Sequence, residues 1–375
     1  MLSATQPFSL SPRLVRKLVH WFFIALILVL SLWTWMNFTL GSHLAYDYFR
    51  PQVVAQRPLI HMITQGAAAL VPEAAEQQMT KNLIAMRDSA LAQTILRLKF
   101  QDPTNYTNMI MVRISDARIF YTSMQLFVVY ITLCMFVWML YKLALTVFPQ
   151  SSAYALIAPV LSLIMISTFA VNYGYTYDFA ELFFSCAFLY ALYKERFALY
   201  LFLVALATVN KETTIFGIFF FAVWFFGRMP QRKYIFLLAA QLLVFAVVRI
   251  TIIESYTGPP GPDFGYLPVL VSQLTSFYRY DYQHVMTLLL SLLFVMYRWP
   301  EKPIFLRYAL WMFAPNLAAY LLISYTYEYR NFYWSMPPAL LLATHSFISL
   351  TGIAHLPVFT RKPVAGQGKE AEILP

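Results

Sequence analysis

The chain has 375 residues, 60% of them hydrophobic and only 12% charged, with 33 Phe, 26 Tyr and 8 Trp. A soluble domain needs about a quarter charged residues to cover its surface, so this composition excludes one. The formal charge of +10 is no footprint of nucleic acid either, because membrane proteins collect Lys and Arg in their cytoplasmic loops.

Apolar runs of about 18 to 22 residues, enough to cross ~30 Å of hydrocarbon as helix, recur along the chain. The sequence therefore reads as an all-α integral membrane protein of about ten transmembrane helices. Arg13, Arg16 and Lys17 hold a cytoplasmic N-terminus, residues 1–17, ahead of the first run, Leu18–Leu40. That run is too long for a cleaved signal and reads as an anchor. A polar first loop, 41–118, follows on the extracytoplasmic side. Within it Leu59, Ile60, Ile63 and Leu70 share one helical face, as do Ile84, Leu91, Ile95 and Leu98. Both segments are expected to lie as amphipathic helices along the membrane or to dock on the bundle.

The second run is Ile119–Tyr141, the third Ser152–Val171 and the fourth Phe179–Tyr193, which ends at KER. Two short runs then flank NKE (Asn210–Glu212) and end at GRMPQRK. A single helix from Phe197 to Phe226 would put KER and GRMPQRK on opposite sides, so two antiparallel crossings are expected. Tyr234–Ile253, His284–Tyr297, a segment from Arg307 to Tyr325, and Tyr333–Ile353 complete the set. The membrane domain thus runs over 18–354, and the polar tail, 355–375, is expected to be cytoplasmic and disordered. With this threading fifteen of the 27 Lys and Arg residues occupy inner loops, and eight more sit in the long outer segment, where charge bias is weak.

Cys134 and Cys186 lie inside apolar runs and imply core packing. The six histidines show no ligand spacing, and GPPGP at 258–262 is a turn, not a phosphate loop.

The same threading gathers acids and tyrosines on the outer face: Asp47, Asp178, Glu181, Glu212, Glu254, Asp263, Asp281 and Glu328, with Tyr173, Tyr175 and Tyr177. Aromatic rings stack on sugar faces and carboxylates accept hydrogen bonds from hydroxyls, so this face suits a hydroxylated ligand. The same tyrosines also fit an interfacial aromatic belt. The run before NKE spans about 20 Å as helix, two-thirds of the hydrocarbon thickness, so Lys211 and Glu212 sit below the outer surface. A charge there costs about 2.5–3.5 kcal/mol or more unless paired or facing water. As sequence neighbours they point about 100° apart on a helix. Each therefore needs another partner, with the outer acids and Arg330 as candidates. Lys211, Glu212, Asp178 and Arg330 read either as a structural ion network or as the wall of a polar cavity opening outward.

The run from YDFAELFF through VNKETTIFG resembles the centre of bacterial GT-C type membrane glycosyltransferases, which carry an N-[RK]-E-[TS] element after a short helix. YEYRNFYWSMPP resembles their late E-x-R element, and HLAYDYFRPQ occupies the place of their first-loop acid. The resemblance touches most of the first 340 residues through short motifs. It implies an inverting transfer of a hexosyl or pentosyl group from a polyprenyl-phosphate donor to a glycan, lipid or protein acceptor outside the membrane. By position, Asp47 would be the catalytic carboxylate. Arg330, Lys211 and Arg57 would bind the donor phosphate. Asp178, Glu212, Glu328 and Tyr177 would hold sugar hydroxyls or position the cations. GT-C enzymes commonly show paired acids in that loop, whereas Asp47 stands alone beside His43 and Tyr46, which leaves a divalent metal an open question. A transporter or flippase of a lipid-linked solute, and a non-catalytic glycan-binding relative, are the competing classes.

Overall fold

A computed structural model describes residues 11–41, 57–90, 116–169, 176–255, 282–323 and 332–360. The described residues are mostly helical and contain no strand; an isolated bridge joins Ser151 and Thr360. Among the described residues three helices are long and apolar enough to cross a membrane: α1 (Pro12–Gly41), α4 (Ile119–Val147) and α9 (Gln231–Glu254). Between α1 and α4 lie α2 (Leu59–Ala69) and α3 (Glu73–Arg87). Shorter helices fill the rest: α5 (Ser152–Phe169), α6 (Asp178–Tyr193), α7 (Phe197–Asn210) and α8 (Ile215–Phe225). After α9 come α10 (Tyr282–Met296), α11 (Ile304–Ala309), α12 (Phe313–Ile323) and α13 (Met336–Thr351).

The hydrophobic core runs along α4 and α6, where Leu133, Phe136, Leu140, Phe179, Leu182 and Cys186 are sealed. By contrast α1 and α9 flank the bundle and expose Trp21, Phe22 and Trp33, and Phe236, Leu243 and Val247. Apolar flanks of this extent suit contact with lipid chains, while the helical ladder satisfies the backbone internally.

The segment around NKE is a broken hairpin of two short helices, not one continuous helix from Phe197 to Phe226. α7 ends where Lys211 adopts an extended backbone (φ −163°, ψ 145°), a 3₁₀ turn covers Glu212–Thr214, and α8 follows. The helices return antiparallel: the Phe197 ring lies 5.4 Å from that of Phe225, and Tyr200 stacks on Phe221 at 5.8 Å. The Tyr200 hydroxyl donates to the Gly217 carbonyl at 3.1 Å. Gly217 permits this approach, since a Cβ there would meet Phe188 at 2.5 Å and Trp334 at 2.9 Å.

The bundle has two chemically distinct ends. At one, the N-terminal half of α1 meets the chain after α13 (Phe23–Phe359, 6.2 Å), and the Ser152 N–H donates to the Phe359 carbonyl at 3.0 Å. Phe359 is buried, so packed structure extends past residue 354 to Thr360; the tail beyond, from 361, lies outside the described residues. This end carries the cations of the α1 start, KER, GRMPQRK and the α10–α11 connection, against the acids Glu195 and Glu301. At the other, Trp35 Nε1 donates to the Leu126 carbonyl at 2.9 Å, and Thr34 and Ser167 share a 2.7 Å hydrogen bond. Here stand Arg57, α2, α3, the first turn of α6 and the hairpin tip.

One expected face is corrected. α2 docks on α4 through Ile60 and Thr64, whereas Ile63 and Leu70 are exposed. Spacing the apolar residues missed that Thr64 satisfies its hydroxyl on the Ile60 carbonyl (2.7 Å) and so tolerates complete burial. His61, on the same side, hydrogen-bonds the Tyr121 hydroxyl at 3.3 Å. In the second amphipathic segment α3 buries none of its residues, and Leu91, Ile95 and Leu98 lie outside the described residues.

Candidate functional site

Four elements converge on the hairpin tip. Tyr177 precedes α6, and Asp178 and Glu181 occupy its first turn, where the positive end of the helix macrodipole favours a carboxylate. Asn210, Lys211, Glu212 and Thr213 form the break. Arg57 precedes α2, Arg249 lies near the C-terminus of α9, and Trp334 precedes α13.

The charges sort into two layers. The inner layer is sealed: Lys211 Nζ donates to Glu181 Oε2 at 2.6 Å, with the two side chains 3% and 1% exposed. Thr213 donates its hydroxyl to the other Glu181 oxygen at 2.6 Å, and Trp334 Nε1 donates to Thr213 Oγ1 at 3.0 Å. The Ser185 hydroxyl in turn donates to the Trp334 carbonyl at 2.8 Å. This chain of direct bonds joins α6, the break and the start of α13. Asn210 closes the layer by donating from Nδ2 to the Tyr177 carbonyl at 3.1 Å. Asp178 is fully buried at the same end.

The outer layer is open. Glu212, 40% exposed, takes both oxygens to Arg57, one through Nη2 and the other from Nε at 3.2 Å. Arg249 approaches the same carboxylate at 3.9 Å. Arg57 also donates to the Tyr177 hydroxyl and lies over its ring, 4.6 Å from the centroid, while Lys211 Nζ lies 5.4 Å from that centroid. Tyr177 thus separates the two layers and touches both.

Of the residues expected from sequence, Arg57, Tyr177, Asp178, Lys211 and Glu212 gather at this place. Asp47, Glu328 and Arg330 lie outside the described residues. The partners that NKE required are Glu181 for Lys211, and Arg57 with Arg249 for Glu212. Sequence reasoning gave no site role to Arg249, Thr213 or Trp334. Arg249 could have been found by the anomaly that exposed Lys211, a cation stranded in an apolar run away from the basic loops. Among the described residues no three His, Cys, Asp or Glu side chains converge as metal ligands.

Chemically, the outer layer can hold an anion between two guanidiniums, with an aromatic hydroxyl beside it. The inner layer is buried, with its Lys211–Glu181 pair 3% and 1% exposed, and supports the geometry of the outer one. Comparisons with protein-family models, with curated proteins and with solved structures each return no match, so the functional reading rests on these residues themselves.

Proposed function

We propose that the protein is a ten-span, GT-C-like membrane glycosyltransferase of the cell envelope, with both termini cytoplasmic in the inner membrane. It would use a polyprenyl-phosphate-linked sugar at the extracytoplasmic face. The observation that carries this reading is the convergence of Arg57 and Arg249 on the half-exposed Glu212 beside Tyr177. In the reaction the acceptor hydroxyl attacks the anomeric carbon as the bond from that carbon to the phosphate oxygen breaks, and the hydroxyl proton passes to Asp47. Negative charge then grows on the leaving polyprenyl phosphate, where fixed cations lower the barrier. Arg57 and Arg249 supply them, with Arg330 assigned by the E-x-R resemblance. Glu212 holds both guanidiniums in place until the donor phosphate competes for them. The cation-rich opposite end supports a cytoplasmic assignment for that end.

A transporter or flippase is favoured by one feature, the helix broken at a buried ion pair, since discontinuous helices line many solute paths. The two readings part in one experiment. Lipid-linked glycans are profiled in cells lacking the protein and in cells carrying the wild type, Asp47→Asn or Arg249→Ala. A transferase loses its glycan product with Asp47→Asn, by about 10²-fold or more in rate if the carboxylate is the general base, while membrane insertion stays intact. Full product formation by Asp47→Asn rejects the base, and an unchanged glycan profile in the null cells rejects the transferase reading.

A further inference from the structure

At the opposite, cation-rich end, a second arrangement is independent of the transfer reading. The chain leaves α8 through Gly227, whose φ of +72° suits a residue without a Cβ, and the Arg228 N–H closes the turn on the Phe225 carbonyl at 3.0 Å. The Arg228 side chain folds back so that its guanidinium carbon lies 3.6 Å from the Trp224 ring centroid and 4.6 Å from that of Tyr308. Its Nη1 is buried and has no hydrogen-bond acceptor. One residue before Tyr308 on α11, Arg307 likewise buries its Nε without an acceptor.

Among the described residues no carboxylate lies within ion-pair reach of either arginine; Glu301 at this end is engaged by Arg298 at 3.3 Å. The contrast with the far end is direct, since Arg57, Arg87, Lys211 and Arg249 each have a carboxylate partner. A helix C-terminus offsets part of a cation's charge, but it supplies no acceptor to these atoms. Two rings hold the Arg228 fork rigid and shield it from water, which strengthens its attraction for an anion.

We propose that this corner binds the phosphodiester headgroup of an anionic phospholipid. Phosphate oxygens fit the planar guanidinium fork in pairs, and headgroups of this charge collect at basic corners between helices on the cytoplasmic side. A lipid is favoured over free phosphate because Phe226, two residues before Arg228, is exposed and its ring lies 6.1 Å from that of Tyr234 near the start of α9, which leaves an apolar surface beside the corner for an acyl chain.

The test uses the full chain purified in neutral detergent, with phosphatidylglycerol, phosphatidylcholine or inorganic phosphate added and thermal unfolding followed. Phosphatidylglycerol should raise the Tm of the wild type and of the control Arg13→Ala, while phosphatidylcholine and inorganic phosphate should not. Arg228→Ala should need roughly tenfold more phosphatidylglycerol for half the shift, as loss of a charged hydrogen-bonding partner implies. Should Arg228→Ala not fold, Arg228→Lys keeps the charge but not the fork, and should still bind more weakly than wild type. An equal phosphatidylglycerol response in the Arg228 variants and Arg13→Ala would overturn the site. An equal response to inorganic phosphate would overturn the lipid.

Discussion

Lys211 and Glu181 meet where neither can reach water, so the strength of their 2.6 Å contact is set against the loss of both hydration shells. Deleting one partner leaves a bare charge in the bundle, which costs about 3–5 kcal/mol, whereas replacing both with apolar residues of similar volume is often near neutral. Glu181→Gln or Lys211→Met alone should therefore lower thermal stability sharply, and the double variant Lys211→Met/Glu181→Leu should recover most of it. If the double variant stays folded yet inactive, the pair orients the outer layer beyond holding the bundle together. Additive losses in the double variant would show that the two charges act separately.

His61 makes a second residue-level case, on the first-loop helix α2. Burial against α4 pushes its pKa below the ordinary value of 6.5. The undocked imidazole therefore takes a proton at a pH where the docked one does not. Docking stability is complete above the ordinary value and declines as the pH falls from there toward the lowered one. Amide protection of residues 59–69, corrected for intrinsic exchange, should drop between about pH 7.5 and about pH 5.5. His61→Gln should abolish that dependence, and a wild type whose protection stays flat over this range would refute it.

At the scale of elements, the broken hairpin depends on one missing methyl group. Gly217 lies against the Phe188 and Trp334 rings, and the Tyr200 hydroxyl closes on its carbonyl. Gly217→Ala must push the buried Phe188 and Trp334 rings, for a cost of about 1–3 kcal/mol, and Gly217→Val should cost more. Because Trp334 also donates to Thr213, the displacement should reach the inner layer. A depressed Tm accompanied by reduced function in Gly217→Ala is the expected pair of readings, and a neutral Gly217→Ala would mean that the rings give way freely.

Such elements were largely legible in the sequence, since every apolar run from Leu18 onward coincides with a helix or pair of helices. The break at NKE was legible for a physical reason: two adjacent charges interrupt a run flanked on both sides by cationic turns. What the sequence could not disclose was pairing across distance. Nothing local to Lys211 selects Glu181 over Asp178, three positions earlier on the same helix; register between α6 and α7 decides it. Nor does periodicity foresee that α2 buries Thr64 and leaves Ile63 and Leu70 outside.

For the molecule as a whole, the arrangement turns on charge sorted by end. Among the described residues, cations with few acids mark one end, and cations each paired with a carboxylate, Arg57, Arg87, Lys211 and Arg249, mark the other. Biosynthetic insertion retains Lys and Arg of short loops in the cytoplasm, so the two ends should face opposite compartments. Single cysteines at Lys81 on α3 and Arg232 at the start of α9, both exposed, report on this directly. With a membrane-impermeant maleimide, Lys81→Cys should label in intact cells and Arg232→Cys only after permeabilisation, against the wild-type background of Cys134 and Cys186. Glu212→Cys is a better reporter at the site than Lys211→Cys, because the Glu212 side chain is 40% exposed and that of Lys211 only 3%. Labelling of Glu212→Cys in intact cells would put the outer layer within reach of extracytoplasmic acceptors. Labelling of positions 81 and 232 from the same side would mean that the chain crosses the bilayer differently, and the transferase reading would lose the compartment in which its acceptor must lie.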